Sequence, residues 1–157
     1  MSVSVCAVDE KYERNRHMTI SYIDNGLTDE LLVHFRNQVG WGKVPLDQAS
    51  KAIRNTPFSI VAYDADKAVG IGRLVGDGAL IWYIQDLIVL PEYQNNRIGS
   101  SIMNRLIDFA AQNSVPDSVT TFGLMSAKGK ELFYQKFGFR TRPNDKEGSG
   151  MVMGKKV

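Results

Sequence analysis

The segment "PEYQNNRIGSSIMNRLI", residues 91–107, combines residue types that suit anion binding. A proline turn leads through polar residues into apolar residues at helical spacing, with one glycine, Gly99, at the junction. A helix that begins directly after a turn leaves its first backbone N–H groups unpaired, and such groups attract phosphate oxygens. Gly99 allows close approach to the backbone, while Arg97 and Ser100 add a charged donor and a hydroxyl. The segment is therefore a candidate site for a pyrophosphate group.

Two common phosphate-binding motifs do not account for this segment. The Gly-Lys-Ser/Thr ending of a Walker loop is absent, and the glycine spacing differs from that of the dinucleotide fingerprint. A simpler interpretation also stays open, namely an ordinary strand-to-helix turn with a solvated polar face.

A second candidate for chemistry is Asp86, which lies inside the apolar run "ALIWYIQDLIVL". Burial disfavours the charged form of a carboxylate, which would make Asp86 a suitable proton acceptor near neutral pH. The alternative is a structural carboxylate bound by backbone N–H groups at a strand bulge.

Hydrophobic periodicity predicts a mixed α/β fold with the element order βααβββαβαβ. Thr28 is the expected N-cap of the first helix, and Gly138 is the expected C-cap of the last. Three successive strands suggest an antiparallel meander, and the strand–helix–strand unit at 79–125 suggests a parallel crossover. The predicted strands are residues 19–23, 58–63, 68–75, 79–90, 119–125 and 150–156. The methionines expected in the core are Met103, Met125, Met151 and Met153.

Composition limits the classes of function. The 157 residues are 43% apolar and 23% charged, as expected of one soluble globular domain. A net charge of +2 argues against a nucleic-acid or anionic-membrane partner, and no apolar run reaches the roughly 18 residues of a membrane span. Cys6 is the only cysteine, and the chain has two histidines, so neither a disulfide nor a metal site is expected. We expect a cytoplasmic protein.

Residues 1–17 differ from the rest of the chain. The stretch "DEKYERNRH" is dense in charge and has no periodic apolar face. It predicts a flexible extension, or residues outside a native chain that starts near Met18, with the folded domain at 18–157.

The segments "LIVLPEYQNNRIGSSIM" and "ELFYQKFGF" together resemble the GCN5-related N-acetyltransferase superfamily. One family signature is Gln/Arg-x-x-Gly-x-Gly/Ala at the start of the helix after the fourth strand. The other is a tyrosine followed by x-x-x-Gly-Phe near the C-terminus. The likeness in element order extends over about residues 18–157. The matching positions are Gln94, Ile98 and Gly99 in the first motif and Tyr134, Gly138 and Phe139 in the second.

The resemblance implies a mostly antiparallel sheet flanked by helices, with acetyl-CoA as cosubstrate and no metal. The amides of residues 95–100 would hold the pyrophosphate, and the pantetheine arm would pair with the end of the long strand as an added strand. A backbone N–H near Ile88 or Val89 would polarise the thioester carbonyl. The implied cofactor-binding residues are Leu87, Ile88, Val89, Gln94, Asn95, Asn96, Arg97, Ile98, Gly99, Ser100 and Ser126.

The resemblance also implies direct attack of a small-molecule primary amine on the thioester in a ternary complex. Tyr134 would act as general acid toward the coenzyme sulfur, unless it is only a half-buried packing residue. Asp86 or Tyr83 would handle the amine proton. A phenol is a poor base, so Tyr83 is expected to line the site or order water. Trp41 lies in the loop that borders the acceptor pocket in this family, and with Tyr83 it would form a wall for an arylalkylamine or other apolar amine, if it is not merely packed.

Two positions depart from the family pattern. Arg97 stands where a glycine is usual, and we expect a backbone there that does not require positive φ. Ala127 stands where many members place an asparagine that contacts the cofactor, and Ser126 is the nearest replacement. These departures favour a rival hypothesis, an acyl-CoA-binding sensor without turnover. Protein N-acetylation is a third hypothesis, and a homodimer remains compatible with the sequence.

Overall fold

The computed structural model describes residues 18–156, so the predicted N-terminal extension lies outside the described residues. The chain divides into two compact units, one ending at Gly123 and the other beginning at Leu124. No helix among the described residues is long and apolar enough to cross a membrane.

The first unit is built on a five-stranded sheet with the strand order β1-β2-β3-β4-β5. The first four strands pair antiparallel, and the last pairs parallel with β4. This mixed, mostly antiparallel arrangement with flanking helices confirms the predicted fold class. The strands are β1 (Ile20–Asp24), β2 (Phe58–Asp64), β3 (Lys67–Gly76), β4 (Ile81–Val89) and β5 (Thr121–Gly123). The helices of this unit are α1 (Asp29–Gln38), α2 (Leu46–Arg54) and α3 (Ile98–Asn113).

Helix α1 begins as the sequence predicts. The Thr28 hydroxyl accepts a hydrogen bond from the Leu31 N–H at 3.2 Å, which satisfies one of the unpaired donors of the first turn. Leu32 and Phe35 form its buried stripe. The helix is therefore fixed by its cap at one end and by apolar burial along one side.

Helix α3 packs closely on the sheet because glycines leave room for it. A Cβ added to Gly72 of β3 would lie 2.6 Å from the Ile102 side chain, so only glycine permits this approach. Phe109 of α3 stacks on Phe58 of β2 with ring centroids 4.1 Å apart. The start of α3 is thereby held against the sheet on the face that buries Ile98 and Ile102.

A β-bulge interrupts the pairing of β3 with β4. Ile71 lies opposite Ile88 and Arg73 lies opposite Gln85, so two residues of β4 stand across from one residue of β3. Asp86, the first of the two, has a φ of +50°. A bulge bends its strand and redirects side chains, and here it occurs in the middle of the longest apolar run.

Strand β5 is shorter than predicted and pairs with β4 only along Ile81–Tyr83. Within the first unit, the β5-side edge of β4 from Ile84 to Val89 has no strand partner. The end of β4 is thus an open edge.

The second unit contains one short helix, α4 (Glu131–Gln135), where 128–137 had been predicted. Gly138, the predicted C-cap, lies two residues after the cap residue Lys136 and has a φ of +87°. The prediction of a strand at 150–156 is wrong, since no strand occurs there. A short apolar stretch forms a strand only where a partner edge accepts it, and Gly150 and Gly154 within the predicted range weaken this one.

The methionine predictions are only partly confirmed. Met103, which lies in α3, is completely buried. Met125, Met151 and Met153 are 64%, 94% and 83% exposed, so the prediction that they lie in the core is wrong. Without a final strand, the last two have no sheet face against which to pack.

Candidate functional site

The 94–100 loop joins the sheet to α3 through two left-handed residues. After β4 the chain makes a short 3-10 turn at Pro91–Tyr93, and Asn95 and Arg97 then adopt φ values of +66° and +62°. The expectation that Arg97 would not need positive φ is therefore wrong. The two reversals bring the chain directly to the first turn of α3, for which Arg97 is the N-cap residue without a side-chain cap bond.

The backbone N–H groups at the start of α3 are unpaired within the described residues. The first helical bond of α3 runs from the Ser101 N–H to the Arg97 carbonyl at 3.0 Å. Within the described residues, no hydrogen bond is donated by the backbone N–H groups from Asn95 to Ser100. Residues 94–97 are exposed. Six consecutive free N–H groups at the positive end of a 16-residue helix make a site that can bind phosphate oxygens.

Side chains hold the loop in this shape. The Asn96 amide donates to the carbonyl oxygens of Tyr93 and Gln94, each at 3.2 Å. The Gln94 amide donates to the Val89 carbonyl at 3.1 Å, which ties the loop to the end of β4. These contacts use side-chain donors and leave the N–H groups of residues 95–100 unused.

The 3-10 turn before the loop is anchored to the sheet. The buried Tyr93 hydroxyl donates to the buried Asp64 carboxylate at 3.1 Å. Lys67 lies over the Tyr93 ring at 5.0 Å and pairs with Glu92 at 3.1 Å. The loop therefore starts from a fixed point on β2 and β3.

A cluster of two arginines and one aspartate, which we call the bulge cluster, lies at the β4 bulge. Asp86 is fully buried in its side chain, and its two carboxylate oxygens pair with Arg36 at 2.6 Å and Arg73 at 2.7 Å. Arg73 also donates to the Thr56 hydroxyl at 3.2 Å. The predicted alternative of a carboxylate bound by backbone N–H groups is replaced by a carboxylate bound by two guanidinium groups.

The bulge cluster also fixes the loop between α1 and α2. Arg36 donates to the Trp41 carbonyl at 3.1 Å, and its guanidinium lies 5.9 Å from the centre of the Trp41 ring. Trp41 is 39% exposed. One arginine thus connects the predicted acceptor-side loop with the strand that carries the bulge.

No ring contact joins Tyr83 and Trp41 within the described residues, and the wall formed by these two side chains stays a prediction. The Tyr83 hydroxyl is buried and has no hydrogen-bond partner within the described residues. Burial raises the pKa of Tyr83 above its usual value of 10.0, so even less of the basic phenolate form is present at neutral pH.

In the second unit, Tyr134 is half-buried among aromatic residues. Its ring makes edge contacts with Phe133 at 5.0 Å and Phe139 at 6.3 Å. Burial raises the pKa of Tyr134 above its usual value of 10.0, so the phenol keeps its proton at neutral pH. The Ser126 hydroxyl donates to the adjacent Ala127 carbonyl at 2.9 Å.

Sequence reasoning did not identify Arg36 and Arg73 as site residues. A signal was present, since Arg73 interrupts the apolar strand "AVGIGRLV" just as Asp86 interrupts the next one. Opposite charges in two neighbouring apolar strands indicate a buried ion pair, because a buried charge requires a partner. The contribution of Arg36 had no comparable signal, since basic residues near a helix C-terminus are common.

The bulge cluster predicts a large loss of stability for Asp86→Asn. Removing the carboxylate leaves two partly buried guanidinium groups without their counter-charge, so we expect the free energy of unfolding to fall by about 3 kcal/mol. Urea denaturation measures this. The matched control is Asp24→Asn, which breaks an exposed pair with Arg105 and should cost less than about 1 kcal/mol. A stable Asp86→Asn protein that has lost all turnover would indicate that Asp86 acts as a base.

Comparison with known proteins places the chain among acetyltransferases. The sequence profile of the "Acetyltransferase (GNAT) domain" matches residues 56–141, more than half of the chain. An uncharacterized N-acetyltransferase of Pyropia yezoensis is 28% identical over 116 residues, which cover 71% of this chain and 64% of that protein. The chain therefore spans less than two thirds of the length of this curated relative.

Solved structures show the same relationship. A protein of unknown function from methicillin-resistant Staphylococcus aureus, described as a probable acetyltransferase, superposes with a TM-score of 0.77. It is 28% identical and covers 87% of this chain and 100% of its own. A GNAT family protein from Streptococcus pneumoniae is 27% identical, with a TM-score of 0.72 over 88% of this chain and 100% of its own. The chain belongs to the GNAT acetyltransferase family.

Proposed function

We propose that the protein transfers the acetyl group of acetyl-CoA to a primary amine of a small molecule, by direct attack in a ternary complex. The observation that carries this proposal is the set of unpaired N–H groups from Asn95 to Ser100 at the start of α3. They match the charge and the oxygen acceptors of a pyrophosphate. The left-handed residues Asn95 and Arg97 hold the backbone in the shape that presents these groups.

The open edge of β4 supports the placement of the pantetheine arm. This edge has no strand partner from Ile84 to Val89 within the first unit, so its peptide groups suit an extended chain with amides of its own. An N–H of Ile88 or Val89 would polarise the thioester carbonyl in the manner of an oxyanion hole. Acetyl-CoA supplies the thioester, and the chain supplies the binding and the orientation.

Tyr134 is proposed as the general acid. The leaving sulfur requires a proton as the C–S bond breaks, and a phenol with a raised pKa retains its proton throughout the neutral range. Ionisation of Tyr134 should therefore reduce the rate only above pH 10. Trp41 is proposed to border the acceptor pocket, since its exposed ring lies beside the bulge cluster.

Calorimetry tests the cofactor site. Acetyl-CoA should bind much more tightly than acetyl-pantetheine, which lacks the phosphates, because the 94–100 loop would contribute only to the former. Gly99→Val should weaken acetyl-CoA binding sharply, since a branched side chain blocks close approach to the backbone. Gly148→Val is the matched control, because a Cβ there meets no atom within 4 Å. Equal affinity for the two ligands would remove the support for a phosphate site.

Because the backbone of Arg97 is left-handed, substitutions at this position can distinguish between two roles of its side chain. If the guanidinium bound a phosphate, Arg97→Ala and Arg97→Gly would both lose roughly 1.5–3 kcal/mol of binding energy. We expect instead that Arg97→Gly binds acetyl-CoA at least as well as the wild type and is more stable than Arg97→Ala by about 1 kcal/mol, because glycine adopts positive φ without strain. Calorimetry and thermal melting of both variants decide between the two roles.

Tyr134→Phe tests the proposed acid. The ring and its packing remain, so acetyl-CoA affinity and thermal stability should change little. The proton donor is lost, so kcat should fall about 10- to 100-fold, less than the full range of general acid catalysis because water partly substitutes. Free thiol release with a panel of small amines measures kcat. An unchanged kcat would remove Tyr134 from the mechanism, and an unfolded variant would show that its role is packing.

The same assay separates the proposal from its rivals. Tight acetyl-CoA binding without thiol release for any amine would indicate a sensor. Release with lysine-containing peptides but with no free small amine would indicate protein acetylation.

A further inference from the structure

The bulge cluster carries one more positive charge than negative. Arg36 and Arg73 share the single carboxylate of Asp86, and both of its oxygens are used. The remaining polar contacts of the two arginines are neutral, namely the Trp41 carbonyl and the Thr56 hydroxyl. Gln85, which also contacts Asp86 at 3.4 Å, is neutral as well. A surplus of one positive charge therefore lies beside the β4 bulge, with limited screening because the arginine side chains are only 21% and 13% exposed.

Among the described residues that contact the bulge cluster, none is a free base for an ammonium ion. Asp86 would have to break one of two charged contacts before it could accept a proton. The neutral phenol of Tyr83 is a very weak base. Its raised pKa describes the loss of its own proton, so the more basic phenolate is scarce near neutral pH. One face of the Trp41 ring, which in principle attracts ammonium ions, is already covered by the Arg36 guanidinium.

These two features converge on the chemical class of the acceptor. We infer that the acceptor is a weakly basic primary amine, uncharged in a large fraction near neutral pH, and that strongly basic alkylammonium ions are excluded. This inference rests on the proposed function, since it takes the β4 bulge as the place where the amine meets the thioester. It names a property of the substrate that family membership leaves open.

Proton accounting supports the distinction. A neutral amine forms the new N–C bond as the C–S bond breaks, and the proton lost by nitrogen is balanced by the proton gained by sulfur. An ammonium ion must first lose one further proton, and none of the described residues in contact with the bulge cluster is a free base that takes it. The surplus charge also opposes the approach of the cation, so neither binding nor deprotonation of an alkylammonium ion is assisted.

A matched pair of acceptors tests the inference. Phenylalaninamide and phenethylamine share the phenyl ring and the two-carbon chain that carries the amine. The α-amino group of phenylalaninamide loses its proton at about pH 8, and the alkylamine of phenethylamine does so at about pH 10.4. At pH 7 we expect kcat/KM to favour phenylalaninamide by about 100-fold or more. Between pH 7 and 9 the value for phenethylamine should rise about tenfold per pH unit, while that for phenylalaninamide levels off above about pH 8.

The pH series also excludes a simple preference for the carboxamide. If contacts to the carboxamide caused the selectivity, the ratio would persist at pH 10, whereas selectivity by charge disappears as both amines become neutral. Similar kcat/KM values at pH 7, or a common plateau for both amines above pH 7, would overturn the inference and indicate a base in the protein. If acetyl-CoA binds but no thiol is released with these two amines or with any other amine, the proposed function itself has failed.

A variant of the bulge cluster tests the origin of the exclusion. Arg36→Met removes the surplus charge and leaves the Arg73–Asp86 pair balanced, while Arg36→Lys retains the charge. At pH 7, phenethylammonium should inhibit phenylalaninamide acetylation at least tenfold more strongly in Arg36→Met than in the wild type or Arg36→Lys. Equal inhibition in all three proteins would show that the surplus charge does not exclude cations. Thermal melting shows whether each variant is folded. If Arg36→Met does not fold, the pH series on the wild-type protein still decides the inference.

Discussion

The buried Asp86 carboxylate is the constraint on which the arrangement around the sheet depends. A carboxylate with no exposed side-chain surface is tolerated only when its charge is compensated, and here two guanidinium groups do so from α1 and from β3. The helix and both strands must therefore keep the spacing that allows the two contacts. Because Asp86 also has positive φ, the same contacts hold β4 in its bulged form. The bulge in turn sets the course of β4 toward the 94–100 loop.

The candidate anion site at residues 94–100 depends on a different kind of constraint. Its side chains shape the backbone, and the backbone is the part proposed to contact the ligand. Asn96 and Gln94 bond to carbonyl oxygens, and Tyr93 is anchored on Asp64 at the end of β2. None of these contacts uses the N–H groups of residues 95–100. The loop thus reaches a fixed geometry while its donors stay free, which is the condition for binding phosphate without a large ordering cost.

The sequence predicted the parts of the molecule that local patterns control. The Thr28 cap, the antiparallel meander of three strands and the strand–loop–helix unit around Gly99 all follow from turn residues and periodicity. The prediction of a final strand was wrong because a strand needs a partner edge, and no local sequence pattern reveals whether such an edge is present. The contribution of Arg36 to the bulge cluster was missed for the same reason, since Arg36 and Asp86 are 50 residues apart in sequence. The positive φ of Arg97 was also missed, because arginine does not signal a left-handed residue as glycine does.

Arg97 shows how binding through the backbone relaxes the demand on side chains. A left-handed arginine costs about 1 kcal/mol relative to glycine, yet it presents the same N–H groups in the same directions. The departure from the family motif therefore changes the stability of the loop more than the identity of the ligand it can bind. The proposed selection of the acceptor has no such freedom, because the charge beside the β4 bulge is carried by side chains. The proposed function thus assigns recognition of the cofactor to backbone geometry and selection of the acceptor to the balance of charge around Asp86.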